Sequence, residues 1–412
     1  MLTSLFIRSF VPRRAHLLAA AMTLSLAGCG PTGMPGFGRS DAEAPLLPPP
    51  AANSAIETSD LSSTPNEIGG GGIKVALIVP LSSASGPSSV GQSLRNAAEL
   101  ALSEFGSKDV SIIVKDDQST QAGARAAAQA AISEGADIIL GPLFAGNVRE
   151  VGAVARAAGK PVIAFSTDAN VAARGTYLLS FLPETYIERV LDYAAQRGKR
   201  SMAALIPSSE FGRVAEAQFM AIAARKNINV MAVETYAPGG AAAAAQKIAA
   251  LGQRIDALFI PEQADVMPSV AQAITTAGID VKRVQILGTG LWNDARVLQS
   301  PALQGAWFST PDNAGFTSFV TRYSRKYGNE PSRVATLAYD GASLVAALSR
   351  QQGADRFSET VLQNASGFSG VDGVFRFRAD GTNERGLAVV MISNNATQVV
   401  SPAPKSFSAS AM

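Results

Sequence analysis

The sequence predicts an α/β protein built as two Rossmann-like lobes, each around a parallel sheet, with a cleft between them. Three observations predict it. From residue 73 onward, short continuous apolar runs alternate with stretches of helical spacing. The alternation pauses at Pro183 and then begins a second time. Hydrophobic residues make up 47% of the 412, enough for two sizeable cores. Continuous apolar strands belong to sheets covered on both faces, and their alternation with amphipathic helices belongs to βαβ units. Ligands of such sheets bind beyond the carboxyl ends of the strands, so the space between two lobes is the expected site.

The N-terminus carries a different signal. Residues 1–28 hold Arg8, Arg13 and Arg14 and no acid, followed by an apolar run over residues 17–26. This is the basic region and short hydrophobic region of a secretory signal. It falls short of the about 20 apolar residues that a membrane span needs. Leu26-Ala27-Gly28-Cys29 then matches a lipobox, in which the cysteine is acylated and becomes the first residue. Cys29 is the only cysteine of the chain. Stable anchoring takes more than one acyl chain, a condition that a triacylated cysteine meets. Gly30 follows, where an Asp would signal inner-membrane retention, so the expected location is the outer membrane, facing the periplasm. Residues 29–72 are rich in Pro, Gly, Ser and Ala and lack periodicity, as expected of a disordered tether. Such a tether reaches roughly 35–40 Å.

Composition narrows the chemistry. The chain carries 35 basic and 33 acidic side chains, with a net charge of +2. That near balance gives no basic surface for nucleic acid. His16 is the only histidine and lies inside the signal. The mature chain therefore has no histidine and only a blocked thiol, which excludes Ser-His-Asp and Cys-His nucleophiles and any His or Cys metal site. There is also no S-x-x-K or G-x-S-x-G. No catalytic residue, metal or cofactor is expected.

In the first lobe the expected strands are "IKVALIVP", "VSIIVKD", "ADIILG" and "KPVIAFS". Helices over residues 91–105, 120–135 and 147–159 separate them. In the second lobe the strands are "SMAALIP", "INVMAVETY", "DALFIP" and "VQILGTG", with helices beginning near residues 187, 211, 241 and 264. Two more helices fit residues 312–327 and 334–350. "FSGVDGVFRFRADGTNERGLAVVMISNN" then reads as a hairpin turning at Ala379-Asp380-Gly381, able to cross back to the other lobe.

Some motifs allow two readings. Asp116-Asp117 is a ligand or metal carboxylate pair, or a helix-capping turn, since Ser119 and Thr120 follow. Ser166, Thr167 and Asp168 stand at a strand's carboxyl end beside the expected cleft. Trp292 sits in a comparable loop, where it stacks on a ligand or covers the core edge.

The ordered pieces "IKVALIVPLSSASGPSSVGQSLRNAAELALSEF", "VKDDQSTQAGARAAAQAAISEGADIILGP", "REVGAVARAAGKPVIAFSTD", "PSSEFGR" and "GFSGVDGVFRFRADG" resemble the type I periplasmic binding proteins of the leucine/isoleucine/valine-binding group. The resemblance covers residues 73–400. It implies two lobes joined by three crossovers within a domain of residues 73–403. The N-lobe would take residues 73–183 and 311–365, the C-lobe residues 184–310 and 366–403, and residues 404–412 would form a tail. Classical members bind amino acids for an ABC importer. A hydroxyl residue after the fourth strand holds the ligand's charged ends, an acid after a later strand holds the ammonium, and tyrosines line the rest. This chain departs at each place, with Asp168 for the usual Thr, Phe211 for Tyr, Gly290 for the acid and Val90 for an early aromatic. Glu210, Glu262 or Asp294 could substitute for the acid. Ser82, Phe144, Ser166, Thr167, Asp168, Glu210, Phe211, Glu262 and Trp292 are the candidate cleft residues.

A closer resemblance is to the C-terminal domain of the lipoproteins that activate penicillin-binding proteins. "GPLFAGNV" and "FLPETYIERVLDYAAQRGKRSMAALIPSSEFG" carry it. It implies a non-enzymatic, lipid-anchored regulator of peptidoglycan synthesis, with a penicillin-binding protein as partner. The alternative is a solute-binding lipoprotein that passes a small molecule to an ABC permease.

Overall fold

A computed structural model describes residues 66–350 and 353–407. The signal, Cys29 and the linker up to residue 65 lie outside the described residues. The alternating runs form two doubly wound sheets. The first places its strands in the order Glu67–Gly69, Val110–Asp116, Ile73–Val79, Ile138–Leu140, Val162–Ala164 and Thr176–Leu178. All are parallel except Glu67–Gly69, which pairs antiparallel to Val110–Asp116. This edge strand was expected to be tether. Its three residues are too few to show a pattern, and only pairing with a neighbour orders them. Thr176–Leu178, equally short, was also not anticipated.

The helices begin where the sequence supplies a cap. Ser88, Thr120 and Ser209 each accept a backbone N–H of the first turn, at the starts of Ser89–Phe105, Gln121–Ser133 and Glu210–Lys226. Ala335–Leu348 is buried nearly all round and packs on Ser89–Phe105 against one face of the first sheet. Gln121–Ser133 and Ala145–Ala157 cover the other face.

The second sheet runs Asn229–Tyr236, Ser201–Pro207, Ala257–Phe259, Gln285–Gly288, Trp307–Thr310, Ala388–Ser393 and Ala396–Ser401. Its first five strands are parallel and its last two antiparallel. Pro183–Gln196 and Glu210–Lys226 cover one face, and Ala241–Ala249 and Met267–Thr276 the other. The chain passes between the sheets at residues 179–182, 311–312 and 386–387.

The expected hairpin becomes two structures. Gly373–Phe377 and Asn383–Arg385 pair around the anticipated turn, but Phe375 and Phe377 pack in the first lobe's core. Only Ala388–Ser393 and Ala396–Ser401 join the second sheet. Residues 366–385 therefore belong with the first lobe, because their aromatic face is covered there beside Tyr177. Nor is residue 404 the start of a free tail: the Phe407 ring lies 4.6 Å from the Arg376 guanidinium carbon. Arg385 ties two crossings together, its Nε donating to the Ser180 carbonyl at 2.9 Å while Asn383 Nδ2 donates to the same oxygen at 2.8 Å.

Candidate functional site

A cavity of about 350 Å³ opens between the lobes. Phe211, Thr289, Gly290, Leu291 and Asn293 reach it from the second lobe. Asn313, Phe316 and Arg333 reach it from the first, Phe181 and Pro311 from two of the crossings, and Pro183 and Thr310 from the ends of the elements beside them. Tyr186, on the first helix after the crossing, completes the wall. Thr289 and Gly290 follow the strand Gln285–Gly288 at its carboxyl end, which is where wound sheets place their sites.

Arg333 is the one charged side chain among these lining residues. Its guanidinium lies against the rings of Phe181 and Phe316, with centroids 4.5 and 4.3 Å from Cζ. It donates to both carboxylate oxygens of the fully buried Asp372, at 3.1 and 2.5 Å. A second guanidinium, Arg385, lies 4.7 Å from the Phe181 ring centre. Arg385 is buried, and its Nη1 and Nη2 have no hydrogen-bond partner among the described residues. Thr289 is also buried, and its hydroxyl is likewise unpaired.

Of the nine candidate cleft residues, only Phe211 lines this cavity. Ser82 Oγ donates to Asp116, whose Oδ1 also accepts from the backbone of Leu81, Ser82 and Gln118. Ser82 therefore ties down its own loop. Ser82→Ala is expected to cost about 1 kcal/mol of stability in urea unfolding. It should leave solute affinity unchanged, and a loss of affinity would return Ser82 to the site.

Phe144 is 45% exposed at the start of Ala145–Ala157 and does not reach the cavity. Ser166 accepts from the Asp168 backbone, and Thr167 faces solvent. Asp168 caps the short helix Ala169–Val171 and pairs with Arg149 at 3.5 Å. Glu210 pairs with Arg213 on an exposed helix turn. Glu262 is buried and accepts from the Tyr236 phenol and from the Gln263 N–H. Burial, followed by that hydrogen bond, drives the Tyr236 phenol well above its ordinary range. Trp292 is fully buried in the second lobe's core, so its indole is walled off from the cavity.

The Asp116-Asp117 pair is structural too: Asp117 is buried, accepting from Asn147 Nδ2 at 2.9 Å and from Ser119 N at 2.8 Å. Asp294, offered as a substitute acid, is engaged on the surface by Arg296, which holds it down near 2. Gly290 occupies the position expected to carry an ammonium-binding acid. A Cβ there would sit 2.4 Å from the Tyr186 ring, so Tyr186 fills the space a side chain would need.

Among the described residues, no group of His, Cys, Asp and Glu could hold a metal ion. No helix among them is long and apolar enough to cross a membrane.

The sequence pattern of the family described as Periplasmic binding protein matches residues 72–397. The chain belongs to the periplasmic binding protein family. Its structural neighbours are type I periplasmic binding proteins of the leucine/isoleucine/valine-binding type. One, from Rhodospirillum rubrum and described as a branched-chain amino acid ABC transporter, superposes with a TM-score of 0.71 at 16% identity, covering 80% of this chain and 99% of its own. A substrate-binding protein of a branched-chain amino acid transporter from Streptococcus pneumoniae, solved with isoleucine, has a TM-score of 0.53 at 21% identity, covering 80% and 99%. A solute-binding protein of an ABC transporter from Rhodopseudomonas palustris, solved with benzoate, has a TM-score of 0.54 at 20% identity, covering 83% and 99%. At these identities the likeness establishes the two-lobed fold. No curated protein sequence matches. The family is one of solute-binding proteins, and it places this periplasmic binding protein in the periplasm.

Proposed function

We propose that the protein is the solute-binding component of an ABC importer and holds a small molecule in the interlobe cleft. The observation that carries this reading is the aromatic cavity of about 350 Å³ at the strand ends, with one guanidinium among its walls. Aromatic walls with a few fixed polar groups are what small-molecule sites share. The neighbours that transport branched-chain amino acids or hold benzoate support a small organic ligand with a carboxylate. Lipid attached at Cys29 would hold the protein at the membrane, near a permease.

A second reading, activation of a penicillin-binding protein, draws on a separate observation. Of the residues offered for an amino-acid clamp, Asp168, Glu210, Glu262 and Asp294 are each engaged by partners of the protein itself, and Tyr186 fills the space at Gly290. A fold that keeps two lobes without such a clamp suits a docking module.

Thermal unfolding of the lipidated protein with a panel of amino acids and organic acids separates the two readings. A ligand at a hundred times its Kd adds about 2.7 kcal/mol and raises the melting temperature measurably. The import reading expects such a rise, together with an ABC permease in pull-downs from membranes. No rise with any solute, and recovery of a peptidoglycan synthase instead, would replace it with the activator reading. Mass spectrometry of the mature N-terminus reports acylation of Cys29 in the same preparation.

A further inference from the structure

A guanidinium carries five N–H donors, and Arg333 uses three of them within the protein. Nη1 donates to Asp372 Oδ2 and to Thr336 Oγ1, both at 3.1 Å, and Nη2 donates to Asp372 Oδ1 at 2.5 Å. Nε and the remaining Nη2 hydrogen form one edge of the fork. That edge has no partner among the described residues. Arg333 lines the cavity and keeps 41% of its side chain exposed, so the edge is open to a ligand. This is the geometry in which an arginine receives a carboxylate through two parallel hydrogen bonds.

The surroundings favour an anion. Arg385 brings a second buried guanidinium to the same Phe181 ring, and both of its terminal nitrogens are unpaired. Asp372 is already shared with Arg333, and burial pushes the other carboxyl nearby, Asp340, up to about 7, so it carries only part of a full negative charge at neutral pH. The local balance is therefore positive, within a wall that carries four aromatic rings and no other charged side chain.

The surroundings also offer an ammonium no carboxylate: none lines the cavity, and the Tyr186 ring fills the space at Gly290. A second full charge brought into this cleft would lose its water without gaining an opposite charge, since the lining offers it only amide and hydroxyl oxygens. Glu184 Oε2 is buried with no hydrogen-bond partner among the described residues, but Glu184 lies outside the lining, and burial raises its carboxyl above the ordinary range.

We infer that the cleft takes a one-ring aromatic monocarboxylate that lacks an α-ammonium group. Its carboxylate docks on the Nε and Nη2 edge of Arg333, and its ring packs among Phe181, Phe211 and Phe316. The cavity volume stands near the lower end of ligand pockets, as a single ring requires. The inference rests on the solute-binding reading and narrows it to a substrate class.

Calorimetric titration of the full mature chain with four one-ring probes tests it. The probes are 3-phenylpropanoate, its primary amide 3-phenylpropanamide, L-phenylalanine and benzoate. The acids should bind at least tenfold more tightly than the amide and than L-phenylalanine. Arg333→Gln should bring the acid down to the affinity of the amide. Because that substitution also strips Asp372 of its partner, the acid-to-amide ratio on the unsubstituted protein is the deciding measurement. Equal affinity for acid and amide would overturn the role of Arg333. Tighter binding of L-phenylalanine, or of a leucine control, would overturn the substrate class while leaving solute binding intact. Silence from all four probes alongside binding of another solute would also overturn the inference. Silence from every solute would overturn the solute-binding reading with it.

Discussion

Trp292→Ala is expected to destabilise the protein by about 3–5 kcal/mol, the range for emptying a buried aromatic site. The indole is fully buried in the second lobe and packs beside Phe308, with ring centroids 6.4 Å apart. Gly288 leaves it room, since a Cβ there would sit 2.2 Å from indole Cδ2. The site cannot easily collapse, because the sheet holds one side of it and the neighbouring core the other. Urea unfolding measures the loss, and Trp292→Phe should recover a large part of it. Solute affinity of the phenylalanine variant should match the unsubstituted protein. A selective loss of affinity at unchanged stability would mean that the indole reaches the ligand after all.

A pH-dependent stability that Asp340→Asn removes is the second large effect expected. Asp340 is buried on the helix Ala335–Leu348, where Oδ1 accepts from the Val371 N–H at 2.7 Å and Oδ2 has no partner among the described residues. Burial pushes its carboxyl up to about 7; Asp372 adds to the rise, and Arg385, the Val371 hydrogen bond and Arg333 oppose it. The folded state thus holds this proton more tightly than the unfolded chain, whose value is near 4. The resulting stability is complete below about pH 4 and is lost as pH rises through about 7, a fall of roughly 4 kcal/mol at most. Asp340→Asn cannot ionise, so its stability should be flatter across this window. Urea midpoints of both proteins from pH 4.5 to 8.5 supply the comparison. Parallel pH profiles would show that Asp340 does not carry the effect.

The fold was legible because its signals are local. "IKVALIV" and "VSIIVKD" are continuous apolar runs, and each is a buried strand of seven residues. Ser88, Thr120 and Ser209 announce helix starts in the chain itself. The errors fall where neighbours decide. Glu67–Gly69 is ordered by one antiparallel partner more than 40 residues away. Residues 366–385 stay with the first lobe because Phe375 and Phe377 find their cover beside Tyr177.

The site was much less legible. Phe211 was found because it stands in a motif at a strand end. Arg333 was missed because nothing beside it in the chain marks it. Its partners are Asp372, 39 residues on, and Phe181, about 150 residues back. Tyr186 and Phe316 look like ordinary helix aromatics until the lobes bring them together. The reverse error is equally instructive. Ser82, Asp168 and Glu262 have the chemistry of ligand contacts, but each is already committed to a protein partner. A sequence shows which groups can hydrogen-bond; it does not show which already do.

By itself, then, the sequence determined the two wound sheets, and it gave as expectations the lipobox at Cys29 and, with cleavage of the signal, a mature chain without histidine. Strand periodicity, caps and composition are properties of neighbouring residues, so they survive without coordinates. Only the tertiary structure decided which loops line the cleft. It put Trp292 in the core and the Tyr186 ring at Gly290, and it left one edge of Arg333 unpaired among the described residues. The physical reason is desolvation. Whether a polar group serves a ligand or the fold depends on which partner reaches it once water is excluded, and those partners come from segments up to 150 residues or more apart.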